Sequence, residues 1–338
     1  MQNIESIYRN LLEPSAELIA DIARVEGDIL ILGAGGKMGP ALAKLAKQAI
    51  DKAGIVKKVT GVARFSEPGL QDELSREGID TVKADLLDDS QLQALPDAKN
   101  VLYLAGTKFG TAGNESFTWA MNAYLPGRVA EKYKNSNIVV FSSGNVYHLT
   151  PVTHGGATED SMPQPVGEYA QSSLARERVF QYASSKYNTP LLIYRLNYAN
   201  DVSYGVLLEI AKTVKESRAV DLAMGNVNVI WQGDANEIAL RALHHCSVPS
   251  KILNVTGPET ISVRWLAEQF GNMFGQAPSF INEEQAASLL SNAAESFRLF
   301  GYPKTPLMKI MELIVEWVNQ GGKTINKPTH FQERKGQF

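Results

Sequence analysis

Short apolar runs alternate along the chain with longer stretches whose apolar positions recur at helical spacing. The first run, Ile29-Leu-Ile-Leu32, is bounded by Asp28 and Gly33 and reads as a buried parallel strand. Further runs follow at Lys58–Arg64, Thr81–Leu86, Asn100–Gly106 and Asn137–Ser143, and Ile252–Thr256 returns a strand to the same sheet. Pro40–Ile50, Ser90–Leu95 and Ser116–Lys134 carry the helical pattern between them, the last with a kink expected at Pro126. Strands alternating with helices predict an α/β fold, a doubly wound parallel sheet with helices on both faces.

Residues 1–27 form an N-terminal extension in which Ser15 caps a short helix with Leu18, Ile19 and Ile22 on one face, expected to pack on the sheet. Beyond Asn197 the pattern changes. Helices are expected at Val202–Glu216, Asn236–His245, from a Ser262 cap through Phe270, and at Glu283–Phe300. Thr305-Pro306 starts a last helix whose stripe of Leu307, Ile310, Leu313, Ile314 and Trp317 reads as core or as the seam of a homodimer, and Gly321 stops it. The expected organisation is a nucleotide-binding unit at 28–197 plus about 228–256, and a smaller, mostly helical lobe at about 198–227 plus 257–321. Residues 322–338 make a polar tail, either a disordered end or an arm over the site or a neighbouring subunit, with disorder the prior.

With 338 residues, 44% of them hydrophobic, the chain has ample material for a large core. The net charge of -3 comes from intermixed signs, and no basic stripe points to nucleic acid. The single cysteine, Cys246, permits no internal disulfide and suits a reducing compartment. Met1–Ser6 lacks a basic region followed by an apolar core, and no run approaches the ~20 apolar residues of a membrane helix. A soluble cytoplasmic protein is expected. His244 and His245 are adjacent and diverge around their helix, so no metal is expected.

The chemistry begins at Gly33-Ala-Gly35-Gly36-Lys37-Met38-Gly39, between the first strand and its helix. A strand, a glycine turn and a helix in this order bring backbone N–H groups and a positive helix end to a pyrophosphate. The spacing is Gly-x-x-Gly-x-x-Gly, so Gly33, Gly35, Gly36, Lys37, Met38 and Gly39 are the expected dinucleotide turn of a Rossmann-type domain. At the end of the second strand, where an acidic residue holds the ribose 2′-hydroxyl of NAD, stand Ala63 and Arg64. A guanidinium there pairs with a 2′-phosphate, which favours NADP over NAD. Asp85 ends the third strand where an adenine would lie, and Leu104-Ala105-Gly106 ends the fourth in small residues.

Together with Leu86, Asn122, Ser142-Ser143-x-x-Val146-Tyr147, Tyr169, Arg195-Leu-Asn197, Asp234 and Gly257–Ser262, these residues resemble the extended short-chain dehydrogenase/reductases, the family of nucleotide-sugar epimerases and dehydratases. The resemblance runs from Asp28 to about Gln320. It implies Ser143 as the hydroxyl that binds the substrate oxygen, Tyr169 as the acid/base, and Gly144, Asn145 and Asn197 as substrate contacts.

One family feature is missing. The pattern is Tyr-x-x-x-Lys, and four residues after Tyr169 stands Ser173. The lysine holds the nicotinamide ribose and lowers the tyrosine pKa; at ~4 Å and an effective dielectric near 20 it supplies up to about 4 kcal/mol. Three readings follow. Tyr169 works with a substitute cation, for which Lys108 is the candidate; or His148 or His154 is the base; or the chemistry is lost and a nonenzymatic NADP-binding regulator remains. Met224–Trp231 also lacks the arginine that holds a diphosphate in nucleotide-sugar members, with Arg218, Arg264 and Arg298 as substitutes from the same lobe. The expectation is an NADP-dependent oxidoreductase or epimerase acting by reversible hydride transfer on a sugar, sugar acid or nucleotide sugar, with the smaller substrates favoured.

Overall fold

The computed structural model describes residues 8, 12–108, 113–325 and 329–337. Met1–Ser6, and residues 326–328 and 338 of the tail, lie outside the described residues. Seven parallel strands form one sheet: β1 (Ile29–Leu32), β2 (Val59–Ala63), β3 (Asp80–Lys83), β4 (Asn100–Tyr103), β5 (Asn137–Ser143), β6 (Leu191–Leu196) and β7 (Lys251–Val255). Their order is β3-β2-β1-β4-β5-β6-β7, so the winding reverses between β1 and β4, with Ile29 opposite both Val59 and Asn100. All four β1 residues are buried, and alternate ones serve opposite faces. Ile29 and Ile31 join the core under the helices Gly39–Lys52 and Gln232–Arg241, whereas Leu30 and Leu32 pack toward Leu125–Lys132 and Gly167–Tyr187.

The doubly wound sheet expected from the alternation is present, and it includes β6, a strand the sequence pattern had not singled out. A separate apolar core gathers Val206–Val214, Trp231, Phe270, Ile310–Ile314 and Phe331. The stripe of the last helix, Leu307–Asn319, is therefore core. Its N-cap is Pro306 and Thr305 lies one position earlier than expected, with its N–H donated to Asp234 Oδ2 at 3.0 Å.

Other expectations need correction. The Ser15-capped helix, Ala16–Arg24, packs on the helices Gly39–Lys52 and Gln232–Arg241, with Ser15 Oγ donating to Glu237 Oε1 at 2.6 Å. The helix expected at Glu283–Phe300 is only Ala294–Phe300; before it, Ala287–Ser288 pairs as a strand with Thr150–Pro151. There the buried Ser288 and Ser291 tie extended backbone to Asn226 and Asn228, and tertiary bonding overrides helix propensity. The Pro126 kink takes the form of a π-helical turn, Ala120–Tyr124, immediately before the helix Leu125–Lys132. Of the tail, residues 329–337 lie folded on the protein as an arm and not as a disordered end. Among the described residues no helix is long and apolar enough to cross a membrane.

Candidate functional site

Because the sheet is parallel, the carboxyl ends of β1 to β5 share one edge, and the sequence-predicted residues collect there. Gly33 has φ 96°, and a Cβ on it would lie 2.7 Å from Ala105 N; on Gly39 a Cβ would lie 2.5 Å from Ala34 O. These two glycines are required by packing. Gly35 and Gly36 are exposed and have no such backbone collision, since a Cβ would meet Ala63 Cβ at 3.1 Å and Gly33 O at 3.3 Å respectively. The helix Gly39–Lys52 starts from Met38 with no side-chain cap and with proline in its first turn. An exposed glycine turn leading to a helix end without a side-chain cap fits a pyrophosphate.

Arg64 is exposed just past β2. Asp85 follows β3, with Oδ1 accepting the Leu87 N–H at 3.0 Å. The Leu86 side chain is in the core, so its contact with a bound nucleotide would be through backbone. Leu104 is half-buried, Ala105 buried and Gly106 exposed at the end of β4. Behind Gly106 packs the guanidinium of Arg176, donating to Asn122 Oδ1 at 2.6 Å and Phe141 O at 2.9 Å. Arg176 stands three residues after Ser173 on the same helix face. Ser173 itself is fully buried, and its hydroxyl has no hydrogen-bond partner among the described residues.

A cavity of about 270 Å³ opens where the glycine turn meets β5. Lys37, Met38, Lys108, Ser143, Asn145, Tyr169 and Asn197 all line it, which joins the expected cofactor turn to the expected catalytic and substrate residues. Gly144 does not line it, being packed beneath the Asn197 side chain and Ser291. Ser143 Oγ donates to Asn145 Oδ1 at 2.9 Å and accepts the Asn145 N–H at 3.1 Å, which fixes the hydroxyl at the lip of the strand. Lys108 Nζ stands 5.4 Å from the centroid of the Tyr169 ring. Burial, together with repulsion from Lys37, pushes the Lys108 ammonium down to about 8, against the attraction of Glu209. His154 is exposed in the turn Val152–His154, and neither it nor His148 lines the cavity.

In the floor of the site Ser142, Tyr147 and Arg195 belong to the motifs of the family resemblance, whereas Glu177 and Asn254 had no sequence signal. Glu177, on the Tyr169 helix, forms a two-point pair with Arg195 of β6 at 2.9 and 2.6 Å. Ser142 donates to the same carboxylate, Arg195 Nη1 donates to Tyr147 Oη at 2.7 Å, and Tyr147 donates to Asn254 Oδ1 at 2.8 Å. In the sequence Glu177 sits inside Arg176-Glu-Arg178, a charge cluster that reads as a solvated face. Tyr198, Tyr204 and Thr329 were also missed as cavity-lining residues, having no motif around them. Of the substitute arginines, Arg264 is paired with Glu284 and Arg298 with Glu295. Arg218, paired with Glu216 at 2.8 Å, lines a neighbouring cavity of about 470 Å³.

No curated protein matches the sequence. Among solved structures, a UDP-glucuronic acid 4-epimerase from Bacillus cereus, in complex with a fluorinated UDP-sugar and NAD, is 18% identical with a TM-score of 0.72, covering 87% of this chain and 99% of its own. A dTDP-glucose 4,6-dehydratase from Bacillus anthracis in complex with NAD is 16% identical with a TM-score of 0.73, covering 87% and 97%. A Thermus thermophilus UDP-glucose 4-epimerase complex with NAD is 18% identical with a TM-score of 0.70, covering 86% and 98%. These likenesses establish the fold. The family model for NAD dependent epimerase/dehydratase proteins matches residues 29–214, from the first strand of the sheet through the helix that begins the second core, and the chain belongs to that family.

Proposed function

We propose that the protein is an NADP-using oxidoreductase or epimerase that reversibly oxidises a hydroxyl of a sugar or sugar acid. The observation that carries this reading is the Lys108 ammonium over the Tyr169 ring in a cavity that also holds Ser143. A bound nicotinamide nucleotide supplies hydride acceptance and return. Ser143, held by Asn145, orients the substrate oxygen, and Tyr169 as phenolate takes that oxygen's proton and as phenol gives it back. Lys108 stands in for the cation absent at Ser173, favouring the phenolate from the end of the fourth strand. Arg64 at the end of β2 supports the 2′-phosphate form of the cofactor, whereas the solved relatives are complexes with NAD.

The competing reading, a cofactor-binding regulator without turnover, is favoured by the orphaned Ser173 hydroxyl. One experiment separates the two: assay a panel of sugars, sugar acids and UDP-sugars with NADP and NADPH, comparing wild type with Tyr169→Phe. Turnover that Tyr169→Phe removes supports the enzyme. Turnover that survives takes the role from Tyr169, and no turnover by wild type favours the regulator.

A further inference from the structure

The C-terminal residues run between the site and a neighbouring cavity. Thr329 lines the inner cavity with Ser143 and Tyr169, while His330, Phe331 and Gln332 line the outer one, and Tyr204 belongs to both. Consecutive residues of one segment thus face two compartments that share a wall. The segment is anchored along its length. Thr329 donates its N–H and its hydroxyl to the two oxygens of Glu209, the second at 2.8 Å. Phe331 is buried in the second core, and its carbonyl accepts from the Tyr198 hydroxyl at 3.4 Å. Arg334 Nη1 donates to Ala223 O at 2.9 Å and Ala287 O at 2.8 Å. Gly336 then packs on Gly167, the first residue of the helix that carries Tyr169, so closely that neither position has room for a Cβ.

We propose that residues 329–337 are a fixed partition that sets substrate specificity, admitting an unconjugated sugar or sugar acid and excluding a nucleoside-diphosphate sugar. The inference rests on the functional reading above and deepens it. Sites for drug-sized ligands occupy roughly 300–1,000 Å³. The inner compartment, at about 270 Å³, falls below that range, and it also has to receive the reacting end of the cofactor. Merged with the outer compartment of about 470 Å³, the cleft falls well inside the range. The outer compartment holds Lys212 and Arg218, cations of the kind that pair with a diphosphate, beside the carboxylates of Glu209 and Asp221 and with Arg218 paired to Glu216, on the far side of the partition from Ser143. Three solved relatives are covered over 97 to 99% of their own length yet cover only 86 to 87% of this chain, so this chain carries segments beyond their common fold.

The test measures binding of UDP-glucuronic acid, glucuronic acid and NAD(P) by calorimetry, to the full chain and to a chain ending at residue 328. A second sample carries a protease site at 326–328 and is cut after folding, so that a folding defect of the shortened chain does not decide the matter. Removal of the segment is expected to tighten UDP-glucuronic acid by at least about tenfold while NAD(P) changes by less than about threefold. The synthetic segment 329–338, added back, should compete with UDP-glucuronic acid. UDP-glucuronic acid bound equally well by the intact chain overturns the partition, as does its binding to neither form while both bind NAD(P). An intact chain that binds neither NAD nor NADP overturns the functional reading instead, and the partition falls with it.

Discussion

The Lys108 ammonium lies 5.4 Å from the centre of the Tyr169 ring, reaching it from the end of β4 and not from the tyrosine's own helix. A unit charge at that range and an effective dielectric near 20 attracts a developing negative charge by up to about 3 kcal/mol, before solvent screening at this half-open site. Lys108→Met is therefore expected to lower kcat by about ten- to a hundredfold with a smaller change in KM. Lys108→Arg, which keeps the charge, should retain most of the rate. Equal losses in the two variants would show that the charge is not what matters.

The same lysine sets a pH dependence. Its ammonium is pushed down to about 8, so it is charged below that pH and neutral above it. Support for the Tyr169 phenolate is then present on the acid side and lost as pH rises through about 8. The kcat profile should show a descending limb there, and Lys108→Arg should move that limb to higher pH because a guanidinium stays charged. Rates measured across pH 6 to 10 would check this; a limb unmoved by the arginine belongs to another group.

The glycine turn makes opposite predictions for neighbouring residues. Gly39→Ala sets a methyl 2.5 Å from a backbone oxygen, and Gly33→Ala adds a positive φ of 96° to a 2.7 Å contact, so each should cost about 1–3 kcal/mol of stability. Gly35→Ala and Gly36→Ala meet neighbours at 3.1 and 3.3 Å, which a small shift relieves. Those two should melt within about 1 kcal/mol of wild type yet lose NAD(P) affinity by about tenfold or more. Thermal melts alongside cofactor titrations separate the pairs. Unchanged affinity in Gly35→Ala and Gly36→Ala would remove the pyrophosphate from this turn.

The sheet was legible because its cause is local: Ile29–Leu32 and the Ile138–Phe141 centre of Asn137–Ser143 are uninterrupted apolar runs followed by glycine or serine, and the structure gives both strands the same bounds. The glycine turn was legible because it joins a strand to a helix, whereas Ser143 and Tyr169 were picked out through the family resemblance; all three come to one edge of the sheet. What stayed hidden depends on distant residues. Glu177 has the same surroundings in sequence as a surface glutamate, and only Arg195, 18 positions on, makes it part of the core. Tail residue Thr329 has nothing near it in sequence to tie it to Glu209, 120 residues back. The extended Ala287–Ser288 strand was read as helix for the same reason, since its partners Thr150 and Pro151 are remote in the chain.

Glu177 and Arg195 are 0% and 1% exposed, and removing either partner should be costly in a way their exposed counterparts are not. Arg195→Met leaves a buried carboxylate whose remaining partner is the Ser142 hydroxyl, and it takes a donor from Tyr147. An uncompensated buried charge of this kind costs about 3–5 kcal/mol. Arg298→Met, which breaks an exposed pair with Glu295, should cost no more than about 1 kcal/mol. Glu177→Gln keeps the shape and leaves the guanidinium unpaired, so it should resemble Arg195→Met, whereas Glu177→Gln with Arg195→Met should recover part of the loss because no buried charge remains. Denaturant unfolding of the four variants tests the pairing directly. Additive losses in the double variant would mean that the two side chains contribute independently, and that Ser142, at the base of the site, is not held in place by a coupled pair.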